Sequence, residues 1–322
     1  MANRYRTGLI ALGLLGTLIV AEGRTNASEP VAATPAAAAF QPLEMLPSGH
    51  PVVRVAVDGS APRRFVIDTA ASETTILPKL RAAMAGLVVK PSDEPLDGAA
   101  GRSEVETATV GLLEVAGFGF RSLEALVLPP GPVDGLGVDG ILGADIIADF
   151  AVELDIPAHR WRMTRSADAA MLRGLTASVP FTLDEERAPR LTIRLNGVEV
   201  PAVLDTGARG TIINWAAAKA IGLTPDAPGL VKGTDVRGAT THATPSVKAK
   251  LARLSIDTAE MRDRDIRIAD LPVFKVLGFE AGQPAVILGI DMFADRRFVI
   301  DHPGLRLHVS PPAAPASGPK QP

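Results

Sequence analysis

One arrangement of residues occurs twice in this chain, in the same order. Residues 51–77 read PVVRVAVDGSAPRRFVIDTAASETTIL, and residues 190–214 read RLTIRLNGVEVPAVLDTGARGTIIN. Both run apolar strand, tight turn, apolar strand, Asp-Thr, small residues and a further apolar run. The turns, Asp58-Gly59 and Asn196-Gly197, are strong hairpin signals between alternating segments. Further on, GILGADIIADFAVELDIPAHRWRM (140–163) is matched by VILGIDMFADRRFVIDHPGLRLHV (286–309). These share Leu142/Leu288, Gly143/Gly289, Asp145/Asp291, Ala148/Ala294, Asp149/Asp295 and Asp155/Asp301. Four ordered features recurring at nearly constant offset imply duplication, and so long a period means two homologous domains rather than a solenoid. The expected lobes are 41–163 and 178–311.

Short β-branched runs punctuated by Gly, Pro and Asp dominate both halves, which predicts an all-β fold. Helices are expected to be few and short, for example Lys79–Ala85 and Ala216–Ile221. Residues 29–40 (EPVAATPAAAAF) and the tail from Ser310 are Pro/Ala-rich and read as flexible segments. The expected leader spans 28–40 and the disordered tail 312–322.

The N-terminus has two arginines, then an uncharged apolar run from Gly8 to Ala21, then small residues. This is the pattern of a secretory signal peptide, expected over 1–27. The run is short for a membrane span, which needs about 20 residues, although an uncleaved anchor is the alternative. Export is the expectation, to the periplasm if the source is a Gram-negative bacterium and otherwise to the outside. Membrane association is expected only if the segment stays uncleaved.

Composition removes several chemistries. The chain has no cysteine, so disulfides, thiolate metal sites and cysteine nucleophiles are excluded. Its five histidines, at 50, 159, 242, 302 and 308, form no metal-binding spacing, and no metal or cofactor is expected. The net charge of −3 carries no basic footprint, which argues against nucleic acid.

Each half delivers one aspartate, Asp68 or Asp205, to the end of an apolar strand. A buried carboxylate is costly without a partner. A pseudo-twofold arrangement of the halves would bring the two together. Two carboxylates about 3 Å apart cannot both ionise and titrate as a pair. Such a pair can activate a water, polarise a carbonyl and return a proton to the leaving amine, without metal or covalent intermediate. In this frame Thr69 and Thr206 can cross-bond between the lobes. The small residues Ala70-Ala71 and Gly207-Ala208 let two backbones approach. The downstream Ile-Leu-Gly can pass behind each aspartate loop.

Asp68-Thr69-Ala70-Ala71-Ser72 and Asp205-Thr206-Gly207-Ala208, each with its Ile-Leu-Gly, resemble the aspartic protease superfamily over most of residues 50–310. The resemblance implies two acid-protease-like β-barrel lobes in one chain, or two fused retroviral-protease-like domains, acting as a monomer with an intrachain pseudo-dimer. It implies Asp68 and Asp205 as catalytic residues, and an endopeptidase acting on peptides or proteins. It also implies a flap over the peptide. The candidates are Gly98 and Gly101 in the first half and Gly238 in the second, although an ordinary hairpin would read alike. The only tyrosine is Tyr5, so the flap tyrosine of pepsin-like enzymes is lacking, which favours the retroviral-like version.

Two positions depart from the family pattern. Ala70 stands where glycine is usual, and tolerating its methyl requires negative φ. Arg209 replaces the hydroxyl residue found at Ser72, a position from which a hydroxyl often bonds the catalytic carboxylate. A guanidinium there either points to solvent, the favoured reading, or reaches the dyad and keeps both carboxylates ionised. The departures keep open a non-catalytic peptide-binding protein on the same fold. A third reading is an envelope-anchored structural protein. Elsewhere, Asp155 and Asp301 read as turn residues, Met261–Asp270 as a solvated edge, and Trp161 and Trp215 as core.

Overall fold

The computed structural model describes residues 9–11, 39–84, 86–93, 95–98, 101–237 and 242–314. Each half closes a six-stranded barrel. In the first lobe, strand Pro51–Val57 turns at Asp58-Gly59 into Arg63–Ile67, with Val55 opposite Arg63. Asp58 and Gly59 both have positive φ (47° and 73°), which suits this tight turn. Strand Gly140–Leu142 runs parallel to Arg63–Ile67 and antiparallel to Thr75–Ile76. The long hairpin Glu106–Val115/Phe118–Val127 follows, and pairing of Pro51–Val57 with Glu106–Val115 closes the barrel.

The second lobe repeats this design. Pro189–Leu195 and Val198–Asp205 form the hairpin around Asn196-Gly197, whose φ values are 49° and 93°. Val286–Gly289 lies parallel to Val198–Asp205, with Asp205 opposite Gly289. Val247–Ile256 and Ala259–Ile268 form the long hairpin, and Val247–Ile256 closes on Pro189–Leu195. Burial alternates as a barrel wall requires: in Pro189–Leu195 the odd positions are buried.

A shared sheet joins the lobes, in the order Ala177–Leu183, Arg306–Val309, Arg297–Asp301, Ala151–Asp155, Arg160–Thr164, Gln41–Pro42. At its centre Glu153, 1% exposed, receives Arg162 Nε at 2.6 Å and Arg297 Nη1 at 2.6 Å. A carboxylate buried this deeply is tolerable because two guanidinium groups satisfy it, and one of them comes from the other half.

Two of the short helices, Pro78–Ala83 and Trp215–Ala220, lie close to the positions expected. Pro78 opens the first, where its missing N–H costs nothing. Asn214 caps the second through Ala217 N–H. Asp155 and Asp301 accept the N–H groups of Ala158 and Gly304 in their turns. Trp161 is fully buried, whereas Trp215 is only partly buried against the core.

The expectation for Met261–Asp270 requires correction. Residues 261–268 are not an edge: they pair with Val247–Ile256 along their length and with Ile212–Ile213 at Arg267 and Ile268. Met261, Ile266 and Ile268 point into the core while the charges face outward. Among the described residues no helix is long and apolar enough to cross a membrane.

Candidate active site

The two aspartates meet where the barrels touch. Asp68 and Asp205 are both 0% exposed, and each follows the last core residue of its strand, Ile67 or Leu204. In the first loop Asp68 Oδ1 accepts Ala70 N–H (2.9 Å) and Ala71 N–H (3.1 Å). In the second, Asp205 Oδ1 accepts Ala208 N–H at 2.8 Å. One oxygen of each carboxyl is thus held by its own loop. The other oxygen of Asp68 faces the opposite lobe. Asp68 Oδ2 lies against Gly207, where an added Cβ would sit 2.2 Å away. Asp205 Oδ2 is buried with no donor, and the two carboxyls are within hydrogen-bonding reach of each other. Two acceptors in such contact require a shared proton.

Burial pushes both carboxyls up. Asp68 is raised well above its ordinary value by burial and then by the charge of Asp205. Burial also pushes Asp205 up to about 7, with hydrogen bonds from Ala208 N–H and from Asp68 acting in the opposite direction. The pair therefore titrates as a unit.

The threonines lock the loops together. Thr69 Oγ1 donates to Leu204 O (2.7 Å) and accepts Thr206 N–H (3.1 Å). Thr206 Oγ1 donates to Ile67 O (2.8 Å) and accepts Thr69 N–H (3.1 Å). The four bonds are reciprocal across 137 residues of sequence. Thr206→Val keeps the shape but leaves a buried carbonyl and a buried N–H unpaired. It is expected to cost about 2–4 kcal/mol, read by urea unfolding.

Behind each loop lies a second repeated device. Thr74 Oγ1 donates to Asp145 Oδ1 (2.8 Å) and accepts Gly143 N–H (3.2 Å). Thr211 Oγ1 donates to Asp291 Oδ1 (2.8 Å) and accepts Gly289 N–H (3.1 Å). The glycines are required by space. A Cβ on Gly143 would meet Glu73 backbone at 2.6 Å, and one on Gly289 would meet Gly210 backbone at 2.7 Å. Thr74, Thr211, Asp145 and Asp291 carry no role in the sequence reading, although the two aspartates align at the repeat. Burial pushes both aspartates up to about 6.

These shifts give stability a pH dependence. Asp68, Asp205, Asp145, Asp291 and Asp184 are all raised. Their contribution is full below 3.8, the ordinary value, and is lost as pH rises through the folded values, about 6 to 7 for Asp205, Asp145 and Asp291. His302, lowered by burial to about 4, and His308, also lowered, oppose this as pH falls below 6.5. The carboxyls outnumber the histidines, so Tm should fall from pH 4.5 to pH 7.5 by about 5 °C or more. Scanning calorimetry across that range checks it.

Ser72 needs correction. Its Oγ is buried without a partner and does not bond Asp68; the residue holds the loop through its carbonyl, which accepts Asp145 N–H at 3.1 Å. Ala70 avoids positive φ and is buried in an apolar cluster that includes Val203 and Ala208 of the second lobe. Arg209 is exposed, and its charge does not shift either dyad carboxyl. Over the first loop, Leu96–Gly98 and Gly101–Ser103 form a hairpin with Gly98 opposite Gly101. In the second lobe, Val236–Arg237 pairs with Ala243–Thr244, while Gly238 lies outside the described residues. Leu9–Ala11 runs parallel to Leu96–Gly98 and adjoins helix Val273–Val276 of the second lobe. An extended segment thus fits along the hairpin's edge, spanning both lobes. No group of acidic or histidine side chains among the described residues could hold a metal ion.

A family model described as "Aspartyl protease" matches the chain twice, over residues 53–146 and 191–292. No curated protein matches it. Among solved structures, the aspartic proteinase from Irpex lacteus superimposes with a TM-score of 0.57 at 16% identity, covering 87% of this chain and 99% of the other. At that identity the likeness is one of fold.

Proposed function

The chain belongs to the aspartyl protease family, and on that premise we propose that it is an exported aspartic endopeptidase with Asp68 and Asp205 as its catalytic pair. The observation that carries this reading is the meeting of the two carboxyls, each with one oxygen held by its own loop, Asp68 Oδ2 lying against Gly207 of the opposite lobe and Asp205 Oδ2 buried without a donor.

In the reaction, a water between the carboxyls loses a proton to the ionised member, Asp205, as its oxygen attacks the scissile carbonyl carbon. Asp68, protonated, hydrogen-bonds the carbonyl oxygen. Asp68 passes its proton to that oxygen to complete the tetrahedral diol. As the C–N bond breaks, one diol hydroxyl returns a proton to Asp68 and the proton taken from water passes from Asp205 to the leaving amine. The low-dielectric site strengthens each of these interactions. The hairpin Leu96–Ser103 serves as the flap and its counterpart at Val236–Thr244 as a second one. The substrate is an extended peptide, consistent with the strand already accommodated on the flap edge. Export rests on the charged-then-apolar N-terminal segment, with the mature protein acting as a monomer.

The test is incubation of purified mature protein with an unfolded protein, with mass spectrometry of the products. Discrete cleavage is expected, strongest toward neutral pH, without added metal. A non-catalytic reading draws on one observation, the Ala70 methyl packed at the dyad where the family has glycine. It predicts peptide binding with no new termini.

A further inference from the structure

Arg209 lies one residue beyond Ala208, whose N–H holds Asp205. Its stem sits against the first lobe: a Cβ on Gly49 would lie 3.6 Å from Arg209 Cβ. The exposed guanidinium is therefore carried at the junction of the lobes, next to the dyad loop. Arg267 is close by in the fold. Its N–H donates to Thr211 O at 3.0 Å, and it pairs with Ile212. Its guanidinium donates to Thr234 O (2.7 Å), Thr234 Oγ1 (2.9 Å) and Ser246 Oγ (3.4 Å). These bonds aim the group but bring no negative charge. Burial, and then the charge of Arg209, disfavour its protonated form, so the two cations sense one another.

Directly across the ladder from Arg267 stands Lys248. Like charges in directly opposed positions destabilise a sheet. Elsewhere in this hairpin the charges are compensated, including Arg253 and Arg262, which face each other but share Glu260. Lys250 pairs with Asp265 (2.7 Å), Arg253 with Glu260 (3.5 Å), Arg262 with Glu260, and Arg264 with Asp295 (3.1 Å). Arg209, Lys248 and Arg267 have no ion pair among the described residues. Three uncompensated cations gather at the end of the hairpin that meets the Asp205 loop.

We propose that Arg209, Arg267 and Lys248 form a subsite for a carboxylate side chain, so that the preferred substrates are peptides with Glu or Asp within a few residues of the scissile bond. The inference rests on the protease reading and names its substrate class. Arg267, held by three hydrogen bonds, is the fixed donor. Arg209, on a free arm beside the dyad loop, closes on the carboxylate from the junction of the lobes. Lys248 adds a third positive charge from the same sheet face.

The experiment compares peptides built on one cleaved sequence, with Glu, Gln or Lys in turn at each position flanking the cleaved bond, each made with a C-terminal acid and a C-terminal amide. At low salt, kcat/KM for the best Glu peptide should exceed that for its Gln counterpart about tenfold, and the ratio should shrink at 0.5 M salt. Arg209→Glu and Lys248→Glu, both exposed changes, should each lower the Glu/Gln ratio and raise the Lys/Gln ratio. Equal turnover of Glu and Gln peptides, ratios unmoved by both variants, or a preference set by the terminal acid alone would overturn the proposal. If no peptide is cleaved, the protease reading fails on its own. Binding of the same labelled peptides to the Asp205→Asn variant, by fluorescence anisotropy, then decides the subsite separately: a tighter Glu peptide supports it, and equal binding refutes it.

Discussion

Asp68→Asn and Asp205→Asn should each reduce peptide hydrolysis by about 10³-fold or more, in kcat and kcat/KM alike. Neither amide can exchange the proton that the pair shares. In the Asp68→Asn variant the amide could still donate a hydrogen bond to a substrate carbonyl, but it leaves Asp205 without a partner for the shared proton. The Asp205→Asn change removes the base. Both variants should fold, because an amide oxygen can still accept the loop N–H groups of Ala70, Ala71 or Ala208. They should also bind peptides, which separates lost chemistry from lost binding. In the wild type kcat/KM should be bell-shaped in pH. Burial pushes Asp205 up to about 7, so the singly protonated pair forms only as pH rises into the neutral range. The acid limb should therefore lie closer to neutrality than for a pair of exposed carboxyls. Steady-state kinetics on one peptide across pH 3–9 reads both results.

Gly207→Ala is the second large effect. The new methyl would stand 2.2 Å from Asp68 Oδ2 and 2.4 Å from Asp68 Cγ. Neither a buried carboxyl nor a loop locked by Thr206 can give way cheaply, so Asp68 must turn from its partner. A displacement of about 1 Å at reacting groups costs on the order of 100-fold in rate, and that loss is expected in kcat. The φ of Gly207 is not positive, so the glycine is demanded by the close approach rather than by backbone conformation. Ala70→Gly is the informative counterpart. It removes a buried methyl from the apolar cluster that includes Val203 and Ala208 and should cost about 1 kcal/mol of stability, with hydrolysis kept or increased. Paired unfolding and kinetic measurements on the two variants separate stability from aim. Wild-type kcat in a folded Gly207→Ala protein would contradict this geometry.

The parts of the fold written in short-range pattern were legible in the sequence. The Asp58-Gly59 and Asn196-Gly197 turns announce their hairpins, and the paired Asp-Thr and Ile-Leu-Gly segments announce the loops and what passes behind them. Non-local pairing was not legible. Nothing in the alternation of Ala151–Asp155 says that it will lie beside Arg297–Asp301, because a strand's own pattern shows which face is buried but not which strand is its neighbour. The Met261–Asp270 segment misled for a local reason. Asp263 has φ of 52°, and pairing skips from Arg253↔Arg262 to Leu251↔Arg264. Ala252 and Asp263 drop out of the ladder together without a change of register, and the buried positions shift from Ala259 and Met261 to Ile266 and Ile268, so an inward-facing strand looked like a charged edge. Ser122, with φ of 54°, interrupts the matching hairpin of the first lobe in the same way. At the site, Thr69 and Thr206 could be foreseen because they adjoin the aspartates. Thr74 and Thr211 could not, since a threonine a few residues into a loop reads like any turn residue. Only their equal spacing from Asp68 and Asp205 set them apart.

The central claim is that two carboxyls from two lobes share one proton and grip the tetrahedral centre of a peptide undergoing hydrolysis. Isothermal titration with a non-cleavable peptide carrying a secondary hydroxyl in place of the scissile carbonyl tests it most directly. Only a competent pair distinguishes that centre from an ordinary peptide. The account predicts that wild-type protein binds this ligand at least 100-fold more tightly than the matching all-amide peptide, and that Asp68→Asn and Asp205→Asn each abolish the difference. Equal affinity of wild type for the two ligands, or a preference that survives both substitutions, would contradict it.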